Sequence, residues 1–117
     1  MLKKIKILSV LCLTVALSHN AVAETTPSVI DEGKHLAFDR AKGNCLACHI
    51  ISGGESAGTI APPLFSMKVR YPDKQKLREQ IYNPLKRNPE TSMPPFGQNQ
   101  ILSEAEIDKV VEFIWSL

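Results

Sequence analysis

The sequence predicts an all-α domain. Two serine-started helix signatures, an apolar stripe at spacings of three and four near the C terminus, and the absence of strand-period alternation carry that prediction. At 117 residues the chain is one domain's worth. The first helix is expected over 29–41, with Ser28 as N-cap and Asp31 completing a weak capping box. Leu36, Ala37, Phe38 and Ala41 are its buried positions, and Gly43 ends it. A glycine-rich loop follows at 52–58, and Pro62-Pro63 keeps the chain extended. A second helix begins at Pro72 or Asp73, buries Leu77 and Ile81 on one face, and stops near Asn83 because Pro84 follows. Three prolines and a glycine make 88–100 an irregular loop. The last helix has an S-x-x-E box at Ser103 and Glu106, with Leu102 and Ile107 as the staple pair. Ile107, Val110, Val111, Ile114 and Leu117 form its stripe, flanked by Phe113 and Trp115.

The first 23 residues read as a signal peptide, leaving 24–117 as the working domain. Lys3, Lys4 and Lys6 precede an apolar run from Ile7 to Leu17, and Ala21-Val22-Ala23 is a small-residue cleavage site before Glu24. The run is about half of the roughly 20 residues that span a bilayer. Cys12 lies inside it without a lipobox ahead, so neither a span nor a lipid anchor is expected after cleavage. Removal of this segment leaves 94 residues with 11 basic and 12 acidic side chains, a net charge of −1. The basic excess belongs to the leader, and a nucleic-acid partner is not indicated. The expected location is the periplasm.

Only Cys45 and Cys48 remain in the shortened chain, and Cys45-Leu46-Ala47-Cys48-His49 is a C-x-x-C-H motif, the attachment site of one covalent haem c. Two thiols three apart share one face of a helical turn and reach two vinyl groups on one porphyrin edge. His49 follows at once and reaches the iron. A structural zinc would want four ligands, and beyond this cluster the domain offers only His35. A thioredoxin-like pair needs a βαβ setting, which is absent.

Met93, Met67 and His35 compete for the sixth iron position. Met93 lies 44 residues beyond His49, in Ser92-Met93-Pro94-Pro95-Phe96-Gly97, where prolines stiffen the loop and reduce the entropy lost on ligation. It is the expected distal ligand. Met67 reads as a core methionine and His35 as a surface or partly buried histidine on the first helix. The ring N–H of His49 needs an acceptor, a role assigned to the Pro62 carbonyl in Ala61-Pro62-Pro63-Leu64. A His/Met pair favours ferrous iron and raises the potential.

With these residues in view, the chain resembles a class I cytochrome c and, more closely, is similar to the SoxX family, the monohaem subunit of the SoxAX thiosulfate-oxidising cytochrome. The resemblance runs through Lys42 to His49, Gly53-Gly54-Glu55, Ala61-Pro62-Pro63-Leu64 and Arg70-Tyr71-Pro72-Asp73. It continues in Met93-Pro94-Pro95-Phe96-Gly97, Ile101-Leu102-Ser103 and Glu106 to Val111, covering the whole domain after the leader. Ala61 stands where the pattern usually has glycine. The resemblance implies a heterodimer with a SoxA-like cytochrome that carries the substrate site and the catalytic cysteine. That complex couples thiosulfate to a cysteine of the SoxYZ carrier, and this subunit passes electrons to a downstream cytochrome. With Cys45 and Cys48 as thioethers and Cys12 removed, no thiol remains here to hold a sulfur intermediate, so no catalytic residue is assigned. The competing readings are a free-standing soluble cytochrome shuttling between respiratory complexes, and a haem sensor or peroxidase with an open sixth position.

Residues 68–87 hold seven basic side chains against Asp73 and Glu79, whereas the last helix is acidic. A docking dipole is one reading, and a solvated face is the preferred one. Trp115 is expected to be a core aromatic rather than an electron relay.

Overall fold

The computed structural model describes residues 27–117, so the signal peptide at 1–23 and its cleavage point before Glu24 lie outside the described residues. Four α-helices follow in order: α1 (Val29–Phe38), α2 (Met67–Arg70), α3 (Lys74–Tyr82) and α4 (Glu104–Ser116). Single 3-10 turns form at Cys45–Ala47 and Pro84–Lys86. The one strand-like feature among the described residues is an isolated parallel bridge between Ile51 and Leu64.

Both serine caps form as complete capping boxes. Ser28 accepts from the Asp31 amide while Asp31 bonds back to the Ser28 amide, and Ser103 and Glu106 do the same for α4. The first helix is shorter than its apolar pattern suggested. It stops at Phe38 rather than near Ala41, and Ala41 is exposed. The cause is Asp39, whose carboxylate accepts from the Ala41 amide at 2.8 Å and whose carbonyl accepts from Lys42 and Asn44. That local turn outcompetes another helical turn, so Gly43 is not the terminator. Its amide instead bonds the Leu36 carbonyl at 3.0 Å. In α3, Asp73 caps the start by accepting from Gln75, and Asn83 ends it ahead of Pro84. The short α2, opened by Ser66 in a left-handed conformation, carries no periodic pattern long enough to announce it.

α4 is the centre of the core. It buries Ile107, Val110, Val111, Phe113 and Ile114 against Ala37, Met67, Leu77, Ile81, Phe96 and Leu102. Phe113 is therefore a core residue rather than a flanking one, and it meets Phe38 edge-on with centroids 5.7 Å apart. Leu117 lies past the helix and is only partly buried. The most extensive helix contact is between α1 and α4, and Gly33 lies within it. A Cβ there would lie 2.0 Å from the Lys109 carbonyl oxygen, so only glycine admits this approach.

Trp115 is half-buried at the edge of the core rather than inside it. Its Nε1 donates to the Tyr71 carbonyl at 3.0 Å, and the Lys68 and Lys74 ammonium groups sit 4.9 and 4.4 Å from its ring centroid. The basic run and the acidic helix largely face each other. Lys74 pairs with Glu112 at 2.8 Å, and Arg78 pairs with Asp108 at 2.7 Å and with Glu104. Three carboxylates of α4 are thus paired with Lys74 and Arg78, while Lys68, Arg70, Lys86 and Arg87 pair with no carboxylate among the described residues.

Candidate functional site

The turn that carries the cysteines is fixed from both sides. Asn44 enters it in the left-handed region, at φ 46° and ψ 37°, a conformation asparagine tolerates better than most residues. The amides of Ala47, Cys48 and His49 then bond back to Asn44 and Cys45 carbonyls at 2.9–3.2 Å. On the other side Gly58 donates to the Leu46 carbonyl at 2.8 Å, and a Cβ at Gly58 would fall 2.0 Å from the Ala47 oxygen. Cys45 and Cys48 are both partly buried free thiols, not a disulfide. Burial pushes the Cys45 thiol up to about 11.

His49 follows directly, and its Nδ1 lies 2.6 Å from the Pro62 carbonyl oxygen. A carbonyl only accepts, so Nδ1 carries the proton and the lone pair of Nε2 is left for a metal. Backbone bonds hold the acceptor in place. Ala61 donates to Cys48 at 3.1 Å, and Leu64 donates to Ile50 at 2.9 Å beside the Ile51–Leu64 bridge. Ala61, the departure from the glycine pattern, is accommodated here without disturbing the Pro62 contact.

Met93 sits on the loop after α3, half-buried against the core, with its amide bonded to Thr91 Oγ1 at 3.2 Å. The loop is tied down just beyond it. Gly97 and Gln98 both donate to the Tyr82 carbonyl, and Leu102 donates to Phe96. A Cβ on Gly97 would lie 2.0 Å from the Tyr82 ring, so the close passage of this loop over α3 requires glycine. Gln80 Nε2 approaches the Met93 sulfur at 3.8 Å. No spacing rule pointed to Gln80, since the pair is 13 residues apart and meets only because the loop folds back on α3. Met67, by contrast, is 1% exposed and packed in the core, its sulfur 3.5 Å from the Arg70 guanidinium. His35 is exposed at the end of α1.

The residues fit a flat, mostly apolar group. Cys45, Leu46, Leu64, Tyr71, Tyr82 and Met93 are all packed on the buried core yet only partly covered themselves. A cleft of about 680 Å³ opens beside α3 with a largely charged lining that includes Tyr71, Asp73, Lys76, Glu79 and Gln80, and none of Cys45, Cys48, His49 and Met93 lines it. Asn83 Oδ1 is buried without a hydrogen-bond partner. Among the described residues no three His, Cys, Asp or Glu side chains cluster to hold a bare metal ion. The donor set suits a macrocycle that brings four of the iron's ligands itself. No helix among the described residues is long and apolar enough to cross a membrane.

The chain matches the family described as cytochrome c oxidase, cbb3-type, subunit III over residues 29–114. It is also similar to a chain in the crystal structure of SoxXA from P. pantotrophus. The two are 30% identical, the match covers 78% of this chain and 82% of that one, and the TM-score is 0.68. A comparison with curated protein sequences finds no match.

Proposed function

The chain belongs to the cytochrome c family described by that subunit III model and has a class I cytochrome c-like fold related to SoxXA, and we propose that it is a periplasmic monohaem electron-transfer subunit of a SoxAX-type complex. The observation that carries the reading is the geometry of Cys45, Cys48 and His49 on one pinned turn, with the His49 ring held by Pro62.

Cys45 and Cys48 would hold the haem covalently, and His49 and Met93 would ligate its iron. When bound, the haem supplies a one-electron iron couple whose potential a soft thioether raises. The chain's own work is positional. The Pro62 carbonyl holds the Nδ1 proton, which fixes the imidazole plane and raises the basicity of Nε2. The tied-down loop at 93–98 presents the thioether with little ordering entropy left to lose. With both thiols consumed, the chain keeps no nucleophile for sulfur chemistry. The oxidative coupling of thiosulfate to a SoxYZ cysteine, which releases two electrons, then takes place on a SoxA-like partner. This subunit removes the electrons one at a time and hands them to a downstream cytochrome.

Mass spectrometry of the exported product should show residues 24–117 plus one porphyrin mass. The oxidised protein should show a sulfur-to-iron band in the red that vanishes in Met93→Ala. Co-purification with a second haem subunit distinguishes the complex from a free-standing shuttle. A product without added porphyrin mass overturns the reading.

A further inference from the structure

We infer that the segment 60–69, together with Ile50, is the face on which the chain docks its redox partner, a partner with an apolar centre rimmed by carboxylates; the inference rests on the electron-transfer reading above. Four large apolar side chains stand out of the fold here: Ile60 is 80% exposed, Val69 79%, Phe65 61% and Ile50 48%. Backbone bonds set Ile50 beside the segment. Ile50 is bound to Leu64 at 2.9 Å, and the Ile51–Leu64 bridge lays the two stretches side by side. Pro62 and Pro63 between them are also exposed, and Arg70 pins the segment by donating to the Pro63 carbonyl at 2.8 Å. Proline and these backbone bonds leave little freedom to lose on binding, which favours recognition over mere exposure. Grouped apolar surface of this kind marks an interaction site.

Charge selects the partner. From residue 56 to residue 72 the chain has no Asp or Glu, while Lys68 and Arg70 stand beside Val69. Neither of these two cations pairs with a carboxylate within the described residues, whereas Lys74 and Arg78 on α3 do. A second copy docked face to face would set these cations against themselves. A carboxylate-rimmed face would not. The location gives the contact its use. Pro62, whose carbonyl holds the His49 ring, lies in the middle of the segment, so a partner seated here lies against the stretch of chain that holds the iron ligand.

The test uses the tagged full chain purified from its own cells, as wild type and as the double variant Phe65→Ser/Val69→Ser. Both substitutions are at exposed positions and leave the core untouched. Wild type should bring down a second haem-staining protein, and a zero-length carbodiimide cross-link should join Lys68 to a carboxylate of that protein. The double variant should keep the wild-type haem spectrum and bind that protein about a hundredfold more weakly, as expected for the loss of two buried apolar anchors. Lys68→Glu should weaken binding and flatten its salt dependence. A double variant that still binds as tightly overturns the face and leaves the electron-transfer reading intact. A wild-type homodimer that the double variant dissolves overturns it in favour of self-association. A wild type that carries haem but pairs with no haem protein sinks both the face and the complex, though not the cytochrome.

Discussion

The Gln80–Met93 contact shows how single side chains set the behaviour of this site. With Met93 on the iron, as proposed, an amide N–H directed at its thioether would draw electron density from the sulfur, making it a weaker donor to ferric iron and favouring the ferrous state. Gln80→Leu should therefore lower the reduction potential by roughly 20–60 mV. That range takes about 0.5–1.5 kcal/mol for the hydrogen bond and about 59 mV per tenfold change for one electron. A spectroelectrochemical titration checks it, and retention of the red band in the same sample separates tuning from loss of the ligand. Asn44 belongs to the same scale. Its left-handed backbone starts the cysteine turn, and its place before Cys45 was visible in sequence, but its conformation was not.

Helix packing and capping act at the next scale. Gly33 lies where α1 crosses α4, and Gly33→Ala forces a methyl group against the Lys109 carbonyl. Alanine gains about 0.5–1 kcal/mol in helix propensity. The clash is with backbone, however, and overpacking of this kind destabilises by about 1–3 kcal/mol. A net loss in thermal stability is expected, with α1 detaching first in hydrogen exchange. At the start of α4, Glu106 caps the helix through Ser103 and also pairs with Lys42 at 2.8 Å, just ahead of the cysteine turn. The Lys42 ammonium, chiefly, and the Ser103 amide hold the Glu106 carboxyl below its ordinary 4.5. A lowered value means that the carboxylate stabilises the fold fully above about that pH, and that the contribution is lost as pH falls through the lower folded value. Glu106→Gln keeps the cap and removes the charge. Thermal melts should show it less stable than wild type at neutral pH, with the difference vanishing in acid.

The whole molecule is a small domain whose core is organised by one helix and finished by half-covered apolar side chains. Ile107, Val110, Val111, Phe113 and Ile114 are buried on α4, while Leu64, Tyr71, Tyr82 and Met93 are only partly covered. A domain of this size buries a modest fraction of its surface. A haem held against those side chains, as proposed, would add to that core. The double variant Cys45→Ala/Cys48→Ala, expressed and exported, should retain helical far-UV signal but lose near-UV signal and bind a hydrophobic dye, the pattern of a loosely packed state. A cooperative, wild-type-like melt from that variant would show that the polypeptide core suffices alone.

Local rules settled much of this protein before any coordinates. The two capping boxes, the stripe of α4, the stop of α3 before Pro84 and the C-x-x-C-H motif all depend on residues within a turn or two of each other, so the sequence by itself determined them. The choice of Pro62 as the acceptor for His49 was also legible, because a proline peptide after the motif has few directions to point. What tertiary structure alone decided involves residues far apart in the chain, or local turns in competition. Asp39 cut α1 short by offering a closer hydrogen-bond turn, Lys74 and Arg78 met the acidic side chains of α4 across a helix packing, and Gln80 met Met93 only when the loop closed. Periodicity reports which face a residue takes on its own element. Only the packing of elements against one another determines which faces meet.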